Sequence, residues 1–175
     1  MRPTPGAPET SKVVAGRDGR YAVRSRALGP GSDIFGAMAV HSGELRLSTK
    51  GDSDIVDITE GVQRVVATAG AAEAQVTAFV RGSTAAITTM EFEPGGVHDL
   101  REALERLIPT QGDYEHNRLN HDTNSHAHQR ASLVGSAETV PVADGRLALG
   151  TWQQLVLIDF DDRPRDRTVV VQVVS

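Results

Sequence analysis

From Val40 onward the chain is densely patterned. Residues 41–49 alternate apolar and polar, the two-residue period of a half-buried strand. Asp57 followed by Glu60 three residues later opens a helix with a capping-box-like start. Ile58, Val62, Val65 and Val66 recur at helical spacing, and Gly70 is a natural C-terminal stop. Residues 75–80 and 85–92 read as strands, with Gly82, Ser83 and Thr84 between them. Pro94, Gly95 and Gly96 break the chain. A second amphipathic helix is predicted over 99–107, with Leu100, Ala103, Leu104 and Leu107 inward and Pro109 closing it. Residues 110–127 are polar and without clear periodicity, which predicts a long loop of a kind that is usually functional or mobile. Three further strands follow at 138–142, 147–159 (with a break expected at Gly150) and 168–174, and Asp144-Gly145 is a tight hairpin signal. About six strands and two main helices, with most strands joined by hairpins, make this an α+β fold: one domain with a largely antiparallel or mixed β-sheet core.

The first 37 residues break this pattern. They hold four of the eight prolines and six of the 17 glycines, with short apolar patches only at Val13-Val14 and 21–23. Such a stretch buries too little surface to offset its ordering entropy. Residues 1–37 are therefore expected to be disordered or loosely attached, and 38–175 to form the domain. Met38 stands immediately before the first patterned segment, so a start there, with a non-native extension before it, is one expectation. The segment has no apolar stretch of signal-peptide length; its Arg and Ser content suits a transit peptide, but no amphipathic helix pattern accompanies it.

Composition narrows the chemistry. At 175 residues the chain is one domain's worth, with an ordinary 39% hydrophobic and 23% charged content. It has no cysteine, which excludes disulfides, thiolate metal sites and a cysteine nucleophile, and fits a reducing, cytoplasmic setting. No run is long and apolar enough for a membrane helix, so no membrane partner is expected. Net charge is −5, divided as +3 over residues 1–37 and −8 over the rest. A body at −8 is a poor match to nucleic acid, so none is expected as a partner.

Four of the six histidines fall within residues 116–128: His116, His121, His126 and His128, interleaved with Asp113, Glu115, Asp122 and Asn124. Imidazoles ligate metals and titrate nearest neutral pH. In an extended segment His126 and His128 would share one side, and His116 could close a metal site with an open position. The bland reading is a solvated loop whose histidines bond to backbone groups. Gly82 to Thr84 is either a plain turn or a hydroxyl-bearing phosphate loop. Trp152, the lone tryptophan, reads as a core or interface anchor. Arg163, Arg165 and Arg167 form an alternating basic row, read by preference as a solvated edge that discourages strand pairing and otherwise as an anion clamp. Dinucleotide, P-loop and nucleophile-elbow motifs are absent.

Taken together, SGELRLSTKG at 42–51, DIVDIT at 54–59, STAAIT at 83–88, Glu91, Asp99 and YEH at 114–116 resemble the YjbQ family. So do NSHAH at 124–128, ASLVG at 131–135, Pro141-Val142, GRLALGTWQ at 145–153 and the close at Arg165 and Arg167. The resemblance covers roughly residues 41–174. It implies secondary thiamine-phosphate synthase activity, the coupling of hydroxymethylpyrimidine diphosphate to thiazole phosphate with release of pyrophosphate. It also implies a homotrimer acting on a small phosphorylated metabolite. The roles it implies are His116, His128, Asp99 and Glu91 as catalytic groups and Ser83, Thr84, Arg130, Arg165, Asn124 and Trp152 as substrate or phosphate contacts. A divalent metal, magnesium or zinc, would be held by His116, His126 and His128. Gly82 stands where many members carry histidine, and Met90 where they carry asparagine, so any role of that absent histidine does not transfer. His126 is read as compensating. Two other readings stay open: a metal-dependent hydrolase of a small phosphorylated or acylated metabolite, and a non-catalytic trimeric metabolite-binding protein.

Overall fold

A computed structural model of the protein describes residues 14–15, 21–28 and 38–175. Among the described residues ten strands pair antiparallel throughout. They are β1 (Val14–Ala15), β2 (Tyr21–Leu28), β3 (Val40–Thr49), β4 (Asp54–Asp57), β5 (Ala74–Arg81), β6 (Ala85–Met90), β7 (Ala137–Ala143), β8 (Arg146–Leu147), β9 (Gln154–Asp159) and β10 (Arg165–Val174). Four helices accompany them: α1 (Thr59–Ala69), α2 (Pro94–Leu107), α3 (Glu115–Asn120) and α4 (Ser125–Val134). The class is α+β, as the pattern predicts. One sheet has seven strands in the order β1-β2-β3-β10-β5-β7-β8; the other has three, β4-β9-β6.

Strand β9 explains the layering. It alternates like any strand, but both of its faces are apolar. Leu155 and Leu157 join the core shared with the large sheet and α1. Val156, Ile158 and the following Phe160 join a second core under α2 and α4. The small sheet is thus the middle layer. The large sheet buries one face against this core: Leu45 and Leu47 of β3 and Val169, Val171 and Val173 of β10 point inward. Burying each such side chain contributes roughly 1.5–3 kcal/mol.

Several local expectations hold. Gly70 ends α1 in the left-handed conformation. Asp144 and Gly145 both take positive φ in the β7–β8 turn, the geometry a two-residue hairpin needs. Others change. The N-cap of α1 is Ile58 and not Asp57, whose carboxylate accepts from the Thr59 amide at 2.9 Å from just outside the helix, and Glu60 pairs with Arg64 instead of closing a box. α2 starts at Pro94: proline lacks the N–H that a first turn leaves unused, and the Glu93 carboxylate accepts from the Gly95 and Gly96 amides. Of its expected inward residues Leu104 is buried, whereas Leu107 is exposed.

The connections 82–84 and 160–164 are not hairpins, because each carries the chain from one sheet to the other. The polar stretch 110–127 is not one loop, since it contains α3 and the start of α4. Neither helix shows an apolar stripe. No residue of α3 is buried, and the buried side of α4 includes Ser125, His126 and Arg130. The expectation for residues 1–37 falls largely outside the described residues. Within them, Tyr21–Leu28 pairs with β3 along its length.

Candidate functional site

Helix α4 decides the arrangement of the histidines. Successive helical residues are about 100° apart, so His126 and His128 point to opposite faces instead of sharing one. His126 shares a face with Arg130, four residues on, and each is 3% exposed. Burial, and then the Arg130 charge, holds the His126 imidazole below its ordinary value. Its Nδ1 has no hydrogen-bond partner.

His128 faces the other way and meets His116 of α3. Their ring centroids are 4.8 Å apart, tilted by 52°. The Asn120 side-chain amide lies 3.2 Å from His116 Nδ1, and the other ring nitrogen is Nε2. That Nε2 is buried and without a partner, as is Oδ1 of the buried Asn124 at the start of α4. Buried polar atoms are rarely left unpaired, and such a group calls for an explanation such as a ligand. His128 lines a cavity of ≈ 650 Å³ with Phe79, Gly82, Ser83, Ser132 and Ser136.

The other expected site residues are scattered. Glu91 lines a separate cavity of ≈ 400 Å³ beside Met90 and Leu100, and Asp99 is exposed next to His98. Trp152 is 71% exposed in the turn before β9. Arg130 is committed to structure: it donates to the Ile108 carbonyl (3.0 and 2.7 Å), to the hydroxyls of Ser53 and Thr110 (3.2 Å each), and pairs with Glu105. Thr110, through its hydroxyl and its amide, and then Arg130 hold the Glu105 carboxyl down at about 2. Among the described residues no three His, Asp or Glu side chains converge as a metal ion would require. The donor set His116, His126 and His128 fails because α4 turns His126 away.

A buried network escaped the sequence reading. Asp159 and Asp161 lie between the sheets with Arg167, which is 7% exposed. Arg167 Nε donates to Asp159 at 2.7 Å and its Nη2 to Thr84 Oγ1 at 2.8 Å. Thr84 in turn donates to Asp161 at 2.8 Å, and Thr49 donates to Asp159. Arg165 pairs with Asp161 at 3.0 Å. Burial alone would raise the Asp161 carboxyl, but hydrogen bonds from Arg165 and Thr84 hold it at about 2. The basic row is therefore no solvated edge: of its three arginines only Arg163 is exposed. The signal was the period of β10, since Arg167 falls on the inward phase of Val169, Val171 and Val173. A strand begun at Thr168 hides it.

The family model for UPF0047 protein YjbQ-like matches residues 43–175. The chain belongs to the YjbQ family. A UPF0047 protein of Archaeoglobus fulgidus is 40% identical over 129 residues, covering 74% of this chain and 98% of that one. One of Methanothermobacter thermautotrophicus is 37% identical over 136 residues, covering 78% and 93%. Among solved structures, a YbjQ-like protein of unknown function from Sulfolobus solfataricus superposes with a TM-score of 0.75 at 31% identity, covering 79% of this chain and 99% of that one. A YjbQ/UPF0047 protein from Clostridium acetobutylicum gives a TM-score of 0.68 at 36% identity, covering 74% and 98%. The match begins within β3, so it takes in both sheets from there on, the His116–His128 pair and the Arg167 network of this YjbQ-family chain.

Proposed function

We propose that this protein acts on a small phosphorylated metabolite at the His116–His128 pair, and that its reaction is the thiamine-phosphate coupling its sequence resembles. The observation that carries the reading is the pair itself: two touching imidazoles, one with a buried and unpartnered ring nitrogen, one on a cavity that Ser83 also lines. In the coupling, the methylene–oxygen bond of hydroxymethylpyrimidine diphosphate breaks and pyrophosphate leaves with the electron pair. The thiazole nitrogen supplies the pair for the new carbon–nitrogen bond. His128, on the cavity wall, donates toward the leaving diphosphate, and His116 packed against it exchanges the proton. Ser83 contacts the phosphate, and the apolar wall at Phe79 and Val80 keeps water from the pyrimidinyl cation.

A divalent metal would neutralise the diphosphate. His116 and His128 offer it two imidazoles, but no third His, Asp or Glu among the described residues joins them, so no step is derived through a metal. The working unit on this reading is a cytoplasmic homotrimer. Its support is the outward face of the large sheet, where Phe79, 43% exposed, stands opposite the half-buried Val170. Light scattering reads the assembly directly.

The test supplies both phosphorylated precursors and a divalent cation to the full chain and measures thiamine phosphate by its fluorescent oxidation product. Formation that falls at least 100-fold in His128→Ala, a loss typical of removing an acid–base group, supports the reading. Product unaffected by the substitution, or no product at all, refutes it and leaves metabolite binding or hydrolysis to be assayed.

A further inference from the structure

Arg167 is a buried cation with one arm unspent. Nε and Nη2 are committed to Asp159 and Thr84, and Nη2 also lies 3.6 Å from Asp161. Nη1 donates to no described residue. It sits where a side chain on residue 82 would begin: a Cβ built on Gly82 would stand 2.7 Å from it. Gly82 also holds φ at +145°, a conformation that favours glycine. The missing side chain is what gives Nη1 its place against the loop. Gly82 and Ser83 line the cavity that His128 faces; Arg167 is not itself in that lining, and Nη1 borders it through the side-chain-free Gly82. An arginine fixed by a carboxylate, with N–H donors left over beside a glycine and a serine, suits a phosphoryl oxygen. Two carboxylates (Asp159, Asp161) balance two guanidiniums (Arg165, Arg167) here, so attraction comes from short-range donors and not from a long-range field. Arg165, the expected clamp, is poorer: its Nε is unpartnered but sealed in, and its Nη2 is held by Asp161.

We propose that Arg167 Nη1, with the Ser83 hydroxyl, anchors the phosphoryl group of the ligand in the His128 cavity, and that Gly82 is the residue that opens this anchor. The proposal rests on reading that cavity as a phosphorylated-metabolite site. It assigns the anion to a residue in the middle of a buried network, so anchor and scaffold are one unit. It also gives Gly82 a purpose of its own: a side chain there would cover or displace the anchoring nitrogen.

The probe is inorganic pyrophosphate, titrated into the full chain carrying isotope-labelled arginine. The Arg167 guanidinium resonances are followed by NMR, and affinity by calorimetry. Arg167 signals are expected to move with saturation. Ser83→Ala and Gly82→Ala are each expected to weaken binding about 10- to 100-fold, the loss of one or two charge-assisted hydrogen bonds. Unmoved Arg167 signals, absence of pyrophosphate binding, or full affinity in a folded Gly82→Ala overturns the anchor. If Gly82→Ala does not fold, the titration of the parent protein and Ser83→Ala decide. The two readings fail separately. Shifting Arg167 signals in a protein that makes no thiamine phosphate keep the anchor and remove the coupling reaction. Product formation with Arg167 signals unmoved does the reverse.

Discussion

Replacing Arg130 by methionine separates a structural arginine from a phosphate ligand. Methionine keeps most of the aliphatic volume and removes the guanidinium. The structure sets what is lost: donors to the Ile108 carbonyl at the end of α2, to Ser53 in the β3–β4 connection and to Thr110, and the ion pair with Glu105. Breaking a fully buried ion pair costs about 3–5 kcal/mol. Here Glu105 is 48% exposed and recovers its hydration, which lowers the cost. The Ile108 carbonyl, left without its donor, adds about 1 kcal/mol. The expected loss is about 2–3 kcal/mol. With a urea m-value of about 2 kcal/mol/M, the unfolding midpoint falls by about 1–1.5 M. Pyrophosphate affinity is expected to stay within about twofold, a shift worth under ~0.5 kcal/mol. A variant with the parent's midpoint but at least a 10-fold loss of pyrophosphate affinity would refute this reasoning. Arg130 would then be the phosphate contact that its place in the sequence suggested.

Further predictions concern acid and glycine. Glu105 and Asp161 are both held at about 2, below their ordinary 4.5 and 3.8, so their contribution is complete above those values and is lost as pH falls toward 2. Thermal melts between pH 6 and 2 should fall in that window, and Glu105→Gln should flatten part of the drop. His126 is held below 6.5 by burial and Arg130, so its neutral form stabilises the fold above 6.5 and that contribution fades as pH drops through the lowered value. Its ring proton titration by NMR should have a midpoint below 6.5, and a midpoint at or above 6.5 contradicts the buried placement. Gly51→Ala should cost roughly 3 kcal/mol or more, because φ is +77° and the new Cβ would stand 2.6 Å from the Asp161 and Arg163 carbonyl oxygens. Gly70→Ala has a similar φ of +70° but open space, so only the conformational cost of about 1–2 kcal/mol applies; equal losses at the two sites would contradict the steric argument.

The residues themselves show where a sequence can be read and where it cannot. Leu45, Leu47 and the valines of β10 announce strands, because a strand repeats every two residues and one face of the large sheet is apolar. Val62, Val65 and Val66 announce α1 for the same reason at a different period. Gly70 and Asp144-Gly145 mark ends and turns through their own backbone preferences. All of these are local, and the sequence alone determined them. It also determined the family, because ordered motifs survive without any knowledge of contacts.

The candidate site was legible only as a list of histidines. His126 and His128 look equivalent along the chain, and it is the helical turn of α4 that sends one into the interior and the other to the cavity. α3 and α4 went unread because His, Arg, Asn and Ser occupy the positions where an apolar stripe would have shown them. Thr84 and Arg167 are 83 residues apart, and Thr49 and Asp159 are 110 apart. No local period reports such pairs. Tertiary structure alone decided which charges are buried, because a charge enters the interior only where another part of the chain supplies its partner.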